Sequence, residues 1–336
     1  MPSTVVTGCA GFIGFHTALR LLREGHAVTG LDNLDPYYEV ALKEARLELL
    51  RREPGFTFTR GDVAEAATVE AVLDAARPEQ VVHLAAQAGV RYSIQHPAAY
   101  TRTNLVGFQN VLEACARRRV RHLVYASSSS VYGASAEVPF SEEQAADRPV
   151  SYYAATKRAN ELMAHAYAHI HGLPATGLRF FTVYGPWGRP DMAPILFGRA
   201  ILRGEPIALF NHGEMRRDFT YVDDVVEVIT RVLRRPPQAD GAAPWRVLNV
   251  GNSSPVTLTE FVATLERHLG RKAVLRLLPM QPGDVPATWA DTRQVEAVTG
   301  FSPGTTLDVG LGRLARWLAA YDGAAAAAPG PIALSA

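Results

Sequence analysis

The chain has 336 residues, of which 48% are hydrophobic and 20% charged, as in an ordinary soluble globular protein. Its 34 basic and 33 acidic residues leave a formal net charge of +1, so no electrostatic argument supports a nucleic-acid or membrane partner. Two cysteines, Cys9 and Cys115, provide neither a disulfide framework nor the spacing of a metal site, and no bound metal is expected.

The first residues bear on where the protein works. The first predicted strand begins within about four residues of the start, so we expect no signal peptide. No apolar run approaches the ~20 residues that a membrane-spanning helix needs. Together with the small number of cysteines, these features predict a cytoplasmic protein.

The first predicted strand, residues 4–7, runs into a glycine-rich turn and then an amphipathic helix over residues 12–24. This succession is typical of the βαβ unit that binds a dinucleotide. Gly8 permits the tight turn, Gly11 lets a pyrophosphate approach the backbone, and Gly14 lets the helix pack closely. The cofactor phosphates are therefore expected beside Gly8, Gly11, Phe12, Ile13 and Gly14.

The second predicted strand, residues 27–32, ends in an acidic residue. Asp32 follows Gly14 by 18 residues, close to where this fold places the carboxylate that binds the adenosine ribose. A carboxylate there would repel a 2′-phosphate, which favours NAD over NADP. Alternatively, Asp32 only caps the turn at residues 33–35. We assign Asp32 and its neighbour Asn33 to the cofactor site.

The third and fourth predicted strands, residues 56–60 and 80–86, point to the same site. Asp62 follows the third strand with Val63, and it could either contact adenine or cap the next helix. The fourth strand is apolar enough for burial on both faces, and its small last residues leave room for a flat cofactor. The contacts expected there are Leu84, Ala85 and Ala86.

Helices predicted over residues 38–52, 65–76 and 98–118 separate these strands from each other and from a fifth strand, residues 122–127. Regular alternation of strands and helices indicates an α/β fold built on a doubly wound parallel sheet.

Four serines, residues 127–130, follow the fifth strand at the edge where open α/β sheets bind ligands. Serines also satisfy loop backbone, which is the alternative interpretation. The next predicted helix carries Tyr153 and Lys157 on one face. A phenol has an ordinary pKa of about 10, and a nearby ammonium together with an oxidised nicotinamide would lower that pKa. Tyr153 is therefore the candidate acid and base.

In this order and spacing, TGxxGxxG, the acidic residue after the second strand, the serines and YxxxK resemble the extended short-chain dehydrogenase/reductase family. The resemblance extends to about Tyr321. It implies a Rossmann-type fold, bound NAD, Tyr153 as the acid/base, and Lys157 as the residue that positions Tyr153 and binds the nicotinamide ribose. It also implies that Ser128 bonds the substrate hydroxyl, with Ser130 sharing that role.

Segments of the second half, residues 178–191, 213–224 and 279–291, resemble nucleotide-sugar epimerases, and the last is most similar to the subgroup acting on UDP-glucuronate. The resemblance implies 4-epimerisation to UDP-galacturonate through a 4-keto intermediate. It suggests Arg217 for the diphosphate, whose oxygens suit a guanidinium fork, and Asp284 for the uridine ribose. Arg189 is the candidate for the uronate carboxylate, with Thr182 adding a hydroxyl.

Competing interpretations stay open for the substrate and the reaction. Arg189 could instead pair with Asp191 in a surface loop. A UDP-glucuronate decarboxylase is disfavoured because related decarboxylases carry a glutamate within the serine cluster, where this chain has residues 128–130. A UDP-glucose 4-epimerase and a non-catalytic NAD-sensing protein would also be built on these motifs.

The predicted domains follow from these segments. A Rossmann domain is expected over residues 1–182, joined by about 219–250. A smaller sugar-nucleotide-binding lobe comprises residues 183–218 and 251–322, and the Ala-, Gly- and Pro-rich residues 323–336 form a flexible tail. Family likeness suggests a homodimer joined by the helices around residues 98–118 and 153–169.

Overall fold

The computed structural model describes residues 2–280 and 285–327. Its strands, in chain order, are β1 Ser3–Thr7, β2 Ala27–Asp32, β3 Phe56–Arg60, β4 Gln80–His83, β5 His122–Ser128, β6 Ala175–Phe180, β7 Thr182–Tyr184, β8 Pro206–Leu209, β9 Arg216–Arg217, β10 Phe219–Tyr221, β11 Trp245–Val250, β12 Val256–Thr257 and β13 Val274–Leu277. Its α-helices are α1 Phe12–Arg23, α2 Val40–Arg52, α3 Ala66–Ala76, α4 Val90–Gln95, α5 Pro97–Tyr100, α6 Gly107–Arg117, α7 Tyr152–His171, α8 Ala193–Arg203, α9 Val222–Leu233, α10 Leu258–Leu269, α11 Arg293–Thr299 and α12 Leu307–Ala327.

A seven-stranded sheet in the order β11-β6-β5-β4-β1-β2-β3 forms the centre of the molecule. Its neighbouring strands are all parallel. β4 and β6 are buried along their whole length, as expected of strands covered on both faces. The predicted α/β doubly wound parallel sheet is therefore confirmed. Its strand order reverses between β1 and β4, which is where such sheets bind ligands.

Outside the central sheet, short two-stranded pairings join β7 with β10, β8 with β13, and β9 with β12. Asp218 is buried between β9 and β10 and links two loops outside the central sheet. Its carboxylate accepts hydrogen bonds from the backbone N–H groups of Asn252, Ser253 and Ala290 at 2.8–3.1 Å. The carboxylate thus fixes segments beside the start of β7, where Thr182 N donates to the Asp218 carbonyl oxygen at 3.2 Å. The predicted domain boundaries remain a prediction.

Two elements differ from the predictions. The helix predicted over residues 98–118 is interrupted, because a π-helical turn, Thr101–Val106, separates α5 from α6. β4 ends at His83 instead of residue 86, since its pairing with β1 ends at Thr7. Residues 84–86 consequently leave the sheet.

The end of the chain is only partly described. α12 continues to Ala327, so the first residues of the predicted tail are helical, and residues 328–336 lie outside the described part. In the described ranges, no helix is both long and apolar enough to cross a membrane.

Candidate active site

A cavity of about 430 Å³ opens at the carboxyl edge of the sheet, beside the point where the strand order reverses. It brings together most of the predicted site residues, from both halves of the chain. Those lining it are Gly8, Gly11, Phe12, Ile13, Gly14, Asp32, Asn33, Val63, Leu84, Ala85, Ala86, Ser128, Ser130, Tyr153, Lys157, Thr182 and Arg189.

The glycine turn between β1 and α1 forms one wall. Gly8 has φ +72°, and a Cβ there would lie 2.7 Å from the backbone nitrogen of Ala85. A Cβ at Gly14 would collide with the Gly8 carbonyl oxygen. Since Gly11 has no side chain to cap α1, the first-turn N–H groups remain available to a phosphate. This cradle fits the diphosphate of a dinucleotide.

Asp32 closes the turn after β2 and also lines the cavity, and its contact with the adenosine ribose stays a prediction. Its Oδ1 accepts a hydrogen bond from Leu34 N at 2.8 Å, which closes the turn, and its Oδ2 accepts one from Ala10 N at 3.0 Å. Burial raises the pKa of the Asp32 carboxyl, while these N–H groups and the cations of Lys43 and Arg46 act in the opposite direction. The carboxylate lies in the cavity where a ribose hydroxyl could reach it.

Asp62 belongs to the turn after β3. Its Oδ1 accepts a hydrogen bond from Ala64 N at 2.8 Å, and its carboxylate also pairs with Arg102. Its neighbours Gly61 and Val63 line the cavity, but Asp62 itself does not. The geometry therefore favours turn formation over contact with adenine.

Tyr153 and Lys157 stand in the first turns of α7, which Ser151 caps by accepting a hydrogen bond from Ala154 N at 3.1 Å. Lys157 is buried, and its Nζ donates to the Ala126 carbonyl oxygen at 3.0 Å. Burial lowers the pKa of Lys157 to about 8. The ammonium is thereby directed at the last residues of β5.

The surroundings of the Tyr153 phenol shift its pKa in both directions. Burial raises its pKa, and a hydrogen bond with Ser128 and the charge of Arg189 act in the opposite direction. Lys157 is not among the groups that act on this pKa, and its Nζ is engaged by the Ala126 carbonyl oxygen, so the lowering expected from the ammonium together with an oxidised nicotinamide stays a prediction. Ser128 Oγ also donates to Ser130 Oγ at 3.1 Å, so the two predicted serines do lie together.

Arg189 lies at the cavity and also forms the predicted pair with Asp191. It lines the cavity, yet its Nε and Nη2 donate to the Asp191 carboxylate at 3.1 and 2.5 Å. Tyr37 OH donates to the same carboxylate at 2.9 Å, and the guanidinium lies 5.7 Å from the Tyr37 ring centroid. The predicted pair therefore exists, with Arg189 lining the cavity and Asp191 exposed in the loop after β7.

Thr182 and Arg217, two further predicted substrate residues, differ in their position relative to the cavity. Thr182 lines the cavity at the start of β7. Arg217 does not line it, and its Nη1 donates to the carbonyl oxygens of Arg216 and Pro286 at 2.9 and 3.4 Å. Asp284 lies outside the described residues.

Comparison with known proteins agrees with this geometry. The model of the NAD dependent epimerase/dehydratase family matches residues 4–251, well over half of the chain. The chain belongs to this family. It is 48% identical over 331 residues to a probable UDP-glucuronate 4-epimerase from Rhizobium meliloti (strain 1021), covering 95% of this chain and 96% of that relative.

The fold of this epimerase/dehydratase is also similar to solved structures. The crystal structure of a Bacillus cereus UDP-glucuronic acid 4-epimerase, in complex with UDP-glucuronic acid and NAD, superposes with a TM-score of 0.87 at 31% identity. The match covers 94% of this chain and 98% of that one. A Thermotoga maritima UDP-glucose 4-epimerase superposes with a TM-score of 0.83 at 29% identity, covering the same shares.

Within this family member, the π-helical turn holds a residue that sequence reasoning missed. Asn104 is buried, its Oδ1 accepts from Gln87 N at 2.9 Å, and its Nδ2 donates to Gln87 O and to Thr156 Oγ1, each at 3.0 Å. It therefore ties the loop after β4 to α7, beside Lys157. The helical pattern of residues 98–118 contains no signal for it.

Proposed function

We propose that this chain is a UDP-glucuronate 4-epimerase that uses tightly bound NAD. The observation that carries the proposal is that Arg189 and Thr182 line the same cavity as Tyr153, Lys157 and Ser128. A cation and a hydroxyl for a carboxylate thus face the residues suited to move a proton at a sugar hydroxyl. The likeness to UDP-glucuronate 4-epimerases supports the same substrate.

The glycine turn and the residues after β2 and β4 would hold the cofactor. The Gly11 turn and the start of α1 receive the diphosphate, and Asp32 receives the adenosine ribose. Lys157 receives the nicotinamide ribose. Bound NAD supplies a hydride acceptor that becomes the donor within the same turnover.

Tyr153 is the acid and base of the reaction. In its phenolate form, which the positive charges of Lys157 and bound oxidised NAD would favour against the effect of burial, Tyr153 takes the proton of the 4-hydroxyl. Ser128 holds that hydroxyl through its own hydrogen bond. Carbon 4 becomes a ketone, the sugar turns about its diphosphate, and Tyr153 returns the proton to the alkoxide formed on the opposite face. The product is UDP-galacturonate with no net redox change.

Arg189 has a second role in the proposed reaction, which is to prevent decarboxylation of the intermediate. The 4-keto sugar is a β-keto acid, which loses carbon dioxide when its carboxylate aligns with the carbonyl π system. Arg189, together with Thr182 in the same cavity, is proposed to hold the carboxylate out of that alignment while the ring turns. Arg217 and Asp284 are proposed to bind the diphosphate and the uridine ribose at the lobe.

Product analysis without added NAD or reductant tests the proposal. The purified protein should release NAD on denaturation and convert UDP-glucuronate to UDP-galacturonate. Stoichiometric carbon dioxide without UDP-galacturonate would instead identify the decarboxylase. A requirement for fresh NAD at each turnover would contradict a retained cofactor.

A UDP-glucose 4-epimerase is the second candidate, favoured by the structural match to the Thermotoga maritima enzyme. Arg189→Ala separates the two. On the uronate proposal its turnover of UDP-glucuronate should fall about a hundredfold, since a misplaced substrate loses that much rate. Unchanged turnover of both sugars by Arg189→Ala would favour the neutral substrate.

A homodimer is proposed through α6 and α7. Large apolar side chains are exposed next to α6 and on α7, with 43% of Val106 in the π-helical turn before α6, and 56% of Leu162 and 69% of Ile170 on α7, accessible to solvent. Exposed apolar residues grouped on neighbouring helices are typical of a protein–protein contact. A second copy of the chain would cover them.

A further inference from the structure

Arg46 on α2 is a fully buried cation outside the groups that the proposed reaction uses. Its Nη1 donates to the Ala10 carbonyl oxygen and to Tyr38 OH, both at 2.8 Å. Its Nη2 donates to the carbonyl oxygens of Trp187 at 2.6 Å and Gly188 at 3.4 Å. In the described ranges, no hydrogen bond joins Arg46 to a carboxylate.

One branch of the guanidinium holds the dinucleotide-binding turn. Ala10 lies inside that turn, between Gly8 and Gly11, and is itself buried. Its N–H donates to Asp32 Oδ2 at 3.0 Å while its carbonyl accepts from Arg46. The turn that receives the cofactor phosphates is therefore fixed at both ends of a single residue.

The other branch holds the loop that carries Arg189. Trp187 has φ +61°, a left-handed conformation that is uncommon for a bulky residue. Its indole packs beside Phe15 and Trp317, with ring centroids 5.7 and 5.5 Å away. Packing and Arg46 together hold this backbone, and Arg189 is two residues further along.

Burying a cation costs desolvation free energy unless hydrogen bonds or counter-charges compensate for the lost water. Arg46 Nε has no hydrogen-bond partner among the described residues, so the burial is not fully compensated. A methionine would fill a similar space without a charge to desolvate. The guanidinium, however, carries donors on separate nitrogens in a rigid fork, so that Nη1 bonds one backbone segment while Nη2 bonds another.

We infer that Arg46 is a positioning residue that sets Arg189 at a fixed place relative to the cofactor turn. The inference rests on the proposed function, because the place matters only if Arg189 holds a uronate carboxylate. With Arg46 removed, the carboxylate of the 4-keto sugar can reach alignment with the carbonyl. The bond between carbons 5 and 6 then breaks, its electron pair enters the ketone as an enolate, and carbon dioxide leaves. A solvent proton takes the place of the carboxylate on carbon 5.

The test compares Arg46→Met and Arg46→Lys with a matched control, Arg52→Met, on the same helix. Arg52 is 57% exposed and pairs with equally exposed Glu48. Two quantities are measured, the NAD released per denatured chain and the ratio of carbon dioxide to UDP-galacturonate. That ratio does not depend on how much of the protein is folded.

For Arg46→Met we expect the ratio to rise about tenfold or more and epimerisation to fall by roughly a hundredfold, with less NAD retained. Arg46→Lys keeps the buried charge but is expected to bond only one of the two segments, so the ratio of carbon dioxide to UDP-galacturonate should also rise. This variant replaces Arg46→Met in the test if Arg46→Met does not fold. Arg52→Met should match the unaltered chain. An unchanged ratio with full NAD retention in a folded Arg46 variant would reduce Arg46 to a structural role. If the unaltered chain forms neither product, the proposed function fails. The NAD retained by the Arg46 variants then still tests whether Arg46 holds the dinucleotide-binding turn through Ala10.

Discussion

Replacing Glu161 by glutamine should destabilise this protein far more than such a conservative change usually does. Glu161 lies on α7, one turn beyond Lys157, and its side chain is 0% exposed. Its Oε1 accepts from Ser127 Oγ at 2.6 Å and from Arg179 Nε at 2.8 Å. Its Oε2 accepts from Arg179 Nη2 at 2.8 Å and from Arg158 Nη1 at 2.9 Å.

The magnitude follows from those four bonds. Glutamine keeps one acceptor oxygen and turns the other into an N–H₂ group facing arginine donors. Arg179 is only 2% exposed and loses its counter-charge. Removing one partner of a buried ion pair costs about 3–5 kcal/mol, so we expect about 4 kcal/mol for Glu161→Gln. That is a large part of the roughly 5–15 kcal/mol that stabilises a typical domain.

Urea unfolding of the two proteins measures this difference. The partners of Glu161 lower the pKa of its carboxyl below the ordinary 4.5. The stabilisation is therefore fully present above pH 4.5 and is lost as the pH falls through the lower, folded-state value. Glu48→Gln, at an exposed pair, is the control and should change stability by less than about 1 kcal/mol. A cost for Glu161→Gln no larger than that of Glu48→Gln would refute the reasoning.

Three further predictions concern the site and the dimer. Tyr153→Phe should still release NAD on denaturation but lose about 10²–10⁴ of its epimerisation rate, and an intact rate would remove Tyr153 from the mechanism. Because folded Lys157 loses its proton near pH 8 and unfolded lysine near 10.5, its contribution to the free energy of unfolding should rise with pH between these values. Urea unfolding at both ends of that window should show the rise, and Lys157→Met should lack it. Leu162→Glu should shift the chain from dimer to monomer in light scattering, and an unchanged mass would contradict the proposed contact.

The sequence predicted the sheet and much of the cavity lining because both depend on local patterns. Apolar runs mark buried strands, and the glycine turn and the Tyr153–Lys157 spacing are short enough to read directly. Residues whose role depends on distant segments were not predictable in this way. Arg46 and Arg179 are charged, and only their tertiary partners make their burial possible. Asn104 sits in a π-helical turn whose hydrogen bonds follow a spacing that a helical pattern conceals.

Arg189 shows why two interpretations of one residue need not compete. Its side chain is 18% exposed, and without Asp191 its charge would be desolvated with no counter-ion. Under the proposed function, the pair keeps Arg189 stable in a cavity that must also accept and release a uronate. A uronate carboxylate then gains only the difference between its own interaction with Arg189 and that of Asp191, which Tyr37 also holds at 2.9 Å. A neutral sugar leaves the pair intact. On this proposal the discrimination between the two substrates depends on how easily the Asp191 carboxylate releases the Arg189 guanidinium, and the preference is a property of Arg189, Asp191 and Tyr37 together.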